Sequence, residues 1–242
     1  MVKAVIKKIA DKMGLEVNFR KNLWYKDSWK VKEKLLAGNQ RPVIFDVGAC
    51  DGGTVKKYKQ LFPQSAVHAF EPQPLPYKHL TSLGSIYKDL HFNNLALSDH
   101  KGQAEFTITE GYASSSLLSA AHSGTFVDTH TVKKESIRVE LTTLDEYVRS
   151  KGVKTIDLLK MDVQGNELNV LKGATELLKS NNIGIIYSEV WFTTAYEGQA
   201  YFEDIALFLR AYNYKIHGLY DVSIDFANNG QALWGDVIFV KR

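Results

Sequence analysis

The chain has 242 residues, 45% hydrophobic and 24% charged, with 30 basic and 27 acidic side chains for a net charge of +3. These proportions are those of a folded globule and exclude a disordered, collagenous or disulfide-built chain, and so mild a charge lacks the basic stripe of a nucleic-acid binder. Cys50 is the lone cysteine, which excludes an intrachain disulfide and a cysteine zinc cluster and suits a reducing, cytoplasmic setting.

Residues 1–40 read as a basic helical extension. Val2, Val5, Ile6, Ile9 and Met13 recur at helical spacing with Lys3, Lys7, Lys8 and Lys12 between them. This amphipathic helix suits packing on its own domain, with docking on a membrane or partner as the alternative. No apolar core follows those lysines as a secretory leader requires, and no run reaches the ~18 apolar residues of a membrane span. From residue 41 to 242 the pattern is that of one domain. Val43 to Val47 is a short apolar run, read as a buried parallel strand. A helix runs from Gly52-Gly53-Thr54 to Leu61 and stops at Pro63. Ala66 to Phe70 is a second strand, Pro74 to Leu83 a helix, and Phe92 to Leu97 a third strand. Regularity then lapses. Gln103 to Thr109 and Ile137 to Leu141 alternate like strands, and 110–136 is rich in Ser, Thr, Gly and His. This is an insertion of about 103–141 whose segment 110–136, too polar to build a core of its own, is read as a mobile lid, with His122 and His130 as solvated loop histidines. Thr143 to Ser150 is a helix, Asp157 to Met161 a strand, and Glu167 to Lys179 a helix. Ile183 to Val190 is a strand, Tyr201 to Tyr212 a helix, and Lys215 to Tyr220 and Val237 to Lys241 the last strands.

Strand and helix alternate, so the expected fold class is α/β: a Rossmann-like, seven-stranded, mostly parallel sheet with helices on both faces, plus a β/loop insertion after the third strand. Ligands of such sheets sit beyond the carboxyl ends of the strands, where the strand order reverses. The first strand ends in Asp46-Val47-Gly48-Ala49-Cys50-Asp51-Gly52-Gly53. The dinucleotide fingerprint fails here because Cys50 stands at its second glycine, and a P-loop fails because Thr54 stands where lysine is required. Glu71 ends the second strand, at the distance where a carboxylate grips ribose hydroxyls. Glycine turn and glutamate together indicate an adenosine-type cofactor. Asp162 follows the strand ending at Met161. It is placed to hold a cation or a metal, or to act as a base.

These pieces in order resemble the FkbM-type S-adenosylmethionine-dependent methyltransferases. The matching stretches are Phe45-Asp46-Val47-Gly48-Ala49 with Gly52, Phe70-Glu71-Pro72-Gln73-Pro74, Ala96-Leu97-Ser98-Asp99 with Gly102, and Ser114-Ser115-Ser116-Leu117. Thr143-Leu144-Asp145 follows, then Leu159-Lys160-Met161-Asp162-Val163-Gln164-Gly165 with Glu167, Leu171 and Gly173. Cys50, where the family commonly has Asn, and Gln164, where it often has Glu, are departures. The resemblance implies S-adenosyl-L-methionine as cofactor, with Gly48, Ala49 and Gly52 around its methionine part and Asp46 orienting its ammonium. It further implies Glu71 with Pro72 at the ribose, Ser98 and Asp99 near the adenine, and Asp162 facing the reacting methyl.

The implied activity is O-methylation of a hydroxyl on a sugar, glycan or secondary metabolite. Asp162 and then Glu189, at the end of the fifth strand, are the candidate bases, with Glu167 a helix anchor. Ser114, Ser115, Ser116 and Trp191 are candidate acceptor contacts, and Phe192, Tyr196 and Trp234 offer further aromatic surface. No ligand cluster has metal spacing, so no metal is expected. The competing readings are an NAD-dependent oxidoreductase, which the residue at position 50 opposes, and a non-catalytic nucleotide-binding module.

Overall fold

A computed structural model describes residues 24–121 and 131–241; the expected N-terminal helix, His122 and His130 lie outside them. The chain divides into compact units Met1–Leu35 and Leu36–Arg242. In the first, helix α1 (Ser28–Leu35) starts where Asp27 Oδ1 accepts from the Trp29 and Lys30 amides at 3.0 and 3.2 Å, an N-terminal cap.

The second unit is built on apolar runs too short for helices and buried on both faces. These are β1 (Val43–Val47), β2 (Ala66–Phe70), β7 (Ile156–Met161) and β8 (Ile183–Trp191). With β3 (Leu90–Asn93), β9 (Tyr214–Tyr220) and β12 (Trp234–Lys241) they form one sheet in the order β3-β2-β1-β7-β8-β12-β9. All its pairings are parallel except those of β12, which enters antiparallel between β8 and β9 and sets Asp236 opposite Glu189 and Trp234 opposite Trp191. From β1 the chain steps one way through α2 (Gly53–Leu61) to β2 and α3 (Pro74–Ser82) to β3. Later, beyond α4 (Leu144–Lys151), it restarts on the other side of β1. There it steps the opposite way through β7, α5 (Glu167–Lys172), α6 (Thr175–Lys179), β8 and α7 (Phe202–Ala211). Because crossovers between parallel strands are right-handed as a rule, steps in opposite directions from β1 put helices on both faces. The main core gathers Phe45, Phe70, Leu144, Leu159, Met161, Val170, Ile186 and Val237. A small hairpin, β10 (Ile224–Asp225) with β11 (Gln231–Ala232), precedes β12. Among the described residues no helix is long and apolar enough to cross a membrane.

Two expected elements are divided. The strand expected at 92–97 ends in the large sheet at Asn93. Asn93 and Asn94 spend their side-chain amides on the carbonyls of Ala69 and Glu71, at 3.1 and 2.9 Å, and the chain turns away there. Its remainder, β4 (Ala96–Leu97), joins a separate sheet in the order β4-β6-β5. In that sheet β5 (Gly102–Thr109) pairs antiparallel with β6 (Lys133–Thr142) along its length. This insertion has an apolar cluster of Phe106, Ile108, Val139 and Leu141, with Tyr112 and Leu117 against it. Its segment 112–121 is tied down: Ser116 bridges Thr107, and the Ala121 amide donates to Ala195 at 2.9 Å.

The helix expected over 167–179 breaks at Gly173. Gly173 packs so closely on the Ser98 carbonyl that a Cβ would overlap its oxygen. The two carboxylate oxygens of Asp145 then accept from the amides of Glu176 and Leu177, at 2.9 and 3.0 Å, and start α6 afresh.

Candidate active site

The strand order reverses between β1 and β7, so their carboxyl ends, Gly48 and Asp162, define the crevice. Gly48 has φ 78°, and a Cβ there would overlap the Asp162 carbonyl oxygen; the two loops touch because position 48 has no side chain. Beneath them lies Lys160, its side chain 4% exposed. Its Nζ is 3.0 Å from Asp46 Oδ1 and 3.7 Å from Asp162 Oδ2, and it donates to the Gly48 carbonyl at 2.8 Å. Burial alone would discharge this amine, but the Asp46 and Asp162 carboxylates outweigh it and hold the ammonium above the usual lysine range. The other Asp46 oxygen accepts from Thr54 Oγ1, in the first turn of α2. Asp46 is therefore fully committed inside the protein and does not line the crevice.

Glu71, at the end of β2, is 2% exposed. Oε2 accepts from the Cys50 amide at 2.9 Å and Oε1 from the Gln73 amide at 2.8 Å. Burial outweighs these bonds and pushes its carboxyl up to about 7. Around it is a cleft of about 630 Å³, open mouth included, walled by Gly48, Cys50, Phe70, Pro72, Leu95 to Leu97, Asp162 to Gln164 and Asn166. The insertion roofs it with Phe106, Tyr112, Ala113, Ser115 and Leu117. Gln73 joins roof and wall: its Nε2 donates to the Tyr112 carbonyl at 3.3 Å, while its buried Oε1 has no protein partner.

Asp162 lines the cleft with its side chain 42% exposed. Beside it, Gln164 Nε2 donates to Asp162 Oδ1 at 2.9 Å and to Glu189 Oε2 at 2.7 Å. Gln164 Oε1 accepts from the Tyr196 hydroxyl at 2.7 Å, and that hydroxyl also lies 2.9 Å from the Ser114 carbonyl oxygen. Burial, then the charges of Asp162 and Glu167, raise the Glu189 carboxyl well above its ordinary range. Burial likewise lifts Glu167 to about 7, although its Oε1 accepts from the amides of Val163 and Gly165.

The structure thus brings Gly48, Glu71, Pro72, Asp162 and Ser115 to one cleft. Glu189 is one hydrogen bond behind it. Ala49 and Gly52 shape the turn without lining the cleft; Gly52, at φ 87°, opens α2. Ser98, directly after β4, is buried, and Asp99 bonds His100 Nδ1 at 2.6 Å, so Leu95, Ala96, Leu97 and Asn166 form the wall there instead. Ser114, Ser115 and Ser116 are bound within the protein. Ser115 Oγ accepts from the Thr109 amide at 3.0 Å, and Ser116 Oγ donates to the Gln164 carbonyl at 2.7 Å. Trp191 is buried against Tyr196 and Trp234, with centroid separations of 5.6 and 5.5 Å. Lys160 is the residue that sequence reasoning missed. The signal was present: a lysine inside Leu158-Leu159-Lys160-Met161 can only be buried with a partner.

A buried carboxylate at the end of β2, a glycine crossing at the switch point and an orphaned carbonyl oxygen in the wall fit an adenosyl cofactor. This fold and site are of the S-adenosylmethionine-dependent methyltransferase class. Residues 46–216 match the methyltransferase FkbM domain, and the chain belongs to that family. It is 29% identical to the 2-O-methyltransferase NoeI of Sinorhizobium fredii, over 71% of this chain and 73% of the relative. It is 25% identical to the 31-O-demethyl-FK506 methyltransferase FkbM of Streptomyces tacrolimicus, over 55% of this chain and 60% of the relative. The fold superposes on the crystal structure of a methyltransferase FkbM from Methylobacillus flagellatus with a TM-score of 0.55 at 14% identity. That superposition covers 83% of this chain and 44% of the other.

Proposed function

We propose that this protein transfers a methyl group from S-adenosylmethionine to a hydroxyl oxygen of a small acceptor, a sugar or glycan unit or a hydroxylated secondary metabolite. The observation that carries the reading is Asp162, a half-exposed carboxylate on the cleft wall, fixed from below by Lys160 and from the side by Gln164. Two relatives named as O-methyltransferases support the choice of oxygen. A cytoplasmic setting, suited to the lone Cys50, belongs to the same reading.

The bound cofactor supplies a methyl group already activated by its sulfonium. Glu71 would accept from the ribose hydroxyls, with Gln73 Oε1 as a neighbouring acceptor, and the backbone of Gly48 and Cys50 would carry the methionine part. Asp162 accepts the proton of the acceptor hydroxyl as its oxygen attacks, a contribution of about 10²–10⁴ in rate. Glu189 does not line the cleft; it holds Gln164 from behind, and the part of base falls to Asp162. The Tyr112–Leu117 roof keeps water from the reacting atoms. Titration calorimetry with S-adenosylmethionine, S-adenosylhomocysteine and NAD, followed by a labelled-methyl screen of monosaccharides and polyol metabolites, tests this. Binding of the first two and alkali-stable label on a hydroxylated acceptor is the expected result; binding of NAD alone overturns it.

A further inference from the structure

Gln164 stands where three parts of the molecule meet. Its φ of 55° places a non-glycine residue in the left-handed region, a conformation that persists only when the surroundings impose it. Here they do. The main-chain carbonyl receives Ser116 Oγ from the insertion, and the side-chain oxygen receives Tyr196 OH from the loop after β8. Both bonds of Nε2 go to carboxylates, Asp162 and Glu189. An amide with its oxygen so engaged can present only its NH2 to the two acids.

We propose that Gln164 is a positioning residue that aims the Asp162 carboxylate at the reacting end of the cofactor, and that Tyr196 sets which way its amide faces. The proposal rests on the methyltransferase reading above. Gln164 is uncharged, so it separates Asp162 from Glu189 without adding charge to a crowded site. The ionisable groups around it are Lys160 from β7, Asp162 just after it, Glu189 from β8, Glu167 at the start of α5, Asp236 on β12 and Tyr196. The cofactor is a cation at its sulfur and S-adenosylhomocysteine is not. A correctly aimed Asp162 therefore favours the former over the latter, and the ratio of the two affinities reads its placement. That ratio is insensitive to general loosening of the cleft, which weakens both ligands together.

The test measures both dissociation constants by calorimetry in the wild type, Gln164→Met, Tyr196→Phe, Asp162→Asn and the Asp162→Asn/Gln164→Met double variant. Gln164→Met keeps the length and removes both donors. It is expected to lower the preference for S-adenosylmethionine about tenfold, the worth of one hydrogen bond to a charged group, with the S-adenosylhomocysteine affinity nearly unchanged. Tyr196→Phe removes one hydroxyl at unchanged volume and is expected to move the ratio in the same direction. The double variant is expected to match Asp162→Asn alone, because both changes act through one carboxylate. Gln164→Met and Tyr196→Phe that leave the ratio intact, or a fully additive double variant, overturn the proposal. A wild type that binds neither ligand overturns the methyltransferase reading instead. Should Gln164→Met fail to fold, Tyr196→Phe decides by itself.

Discussion

Glu71 is held by the amides of Cys50 and Gln73 yet retains a proton up to about pH 7 because it is buried. Ribose hydroxyls donate to a carboxylate, so cofactor binding favours its ionised form and releases the proton. Affinity for S-adenosylhomocysteine is therefore expected to rise between about pH 6 and 8 and then level off. Glu71→Gln should weaken binding and flatten that dependence, which calorimetry at several pH values checks. Lys160 is the opposite case, a charge kept ionised by its partners. Lys160→Met leaves Asp46, fully buried, with an uncompensated charge, and should cost about 3–5 kcal/mol in denaturant unfolding. Adding Asp46→Asn to it should recover part of the loss; no recovery would mean that the pair is not the origin of the cost. The Asp46–Lys160 contact could not be read from sequence, because the partners are 114 positions apart and only the β1–β7 pairing sets them side by side.

Among elements, the strands most legible in the sequence were β1, β2, β7 and β8, whose apolar residues are contiguous because both faces are covered. The boundaries that failed are set by contacts from distant chain. Glu167 to Lys179 has unbroken helical character, and only the Ser98 carbonyl lying against Gly173 divides it. The division gives Asp145 its role as cap of α6. Asp145→Ala should cost about 0.5–2 kcal/mol, the range for a lost helix cap, with cofactor affinity unchanged. An Asp145→Asn variant, which keeps one accepting oxygen, should lose less. The insertion was legible as a departure from alternation. Its two long strands were legible from the alternation of 103–109 and 137–141; the place of β4 beside β6 was not, because Ala96 and Leu97 continue the apolar run of β3 in sequence.

For the whole molecule, buried acids and a buried histidine pull stability in opposite directions with pH. Glu167 has its carboxyl raised to about 7, so the folded state binds more protons than the unfolded one. Its share of stability is present below its ordinary range and lost as pH rises through about 7. His68, lowered to about 4 by burial and by His91, gives a share present above its ordinary range and lost as pH falls towards 4. The cofactor-free protein should accordingly be most stable in mildly acidic buffer. Glu167→Gln, which keeps the bonds from Val163 and Gly165, should flatten the decline between about pH 5 and 8 in denaturant midpoints. A decline as steep as in the wild type would remove Glu167 as its cause.

The reversal of strand order between β1 and β7 also bears on how the protein is made. A ribosome releases β1 with β2 and β3 on one side, while the other side waits for β7, roughly a hundred residues further on. At about 5–20 residues per second this is roughly 5–20 s during which Ile44 and Phe45 sit on an open, apolar strand edge. Such an edge pairs readily with any other extended chain. The junction that creates the cofactor cleft in the finished protein is thus its most vulnerable seam during synthesis. Slower expression or a chaperone that shields nascent strands should therefore raise the yield of folded protein.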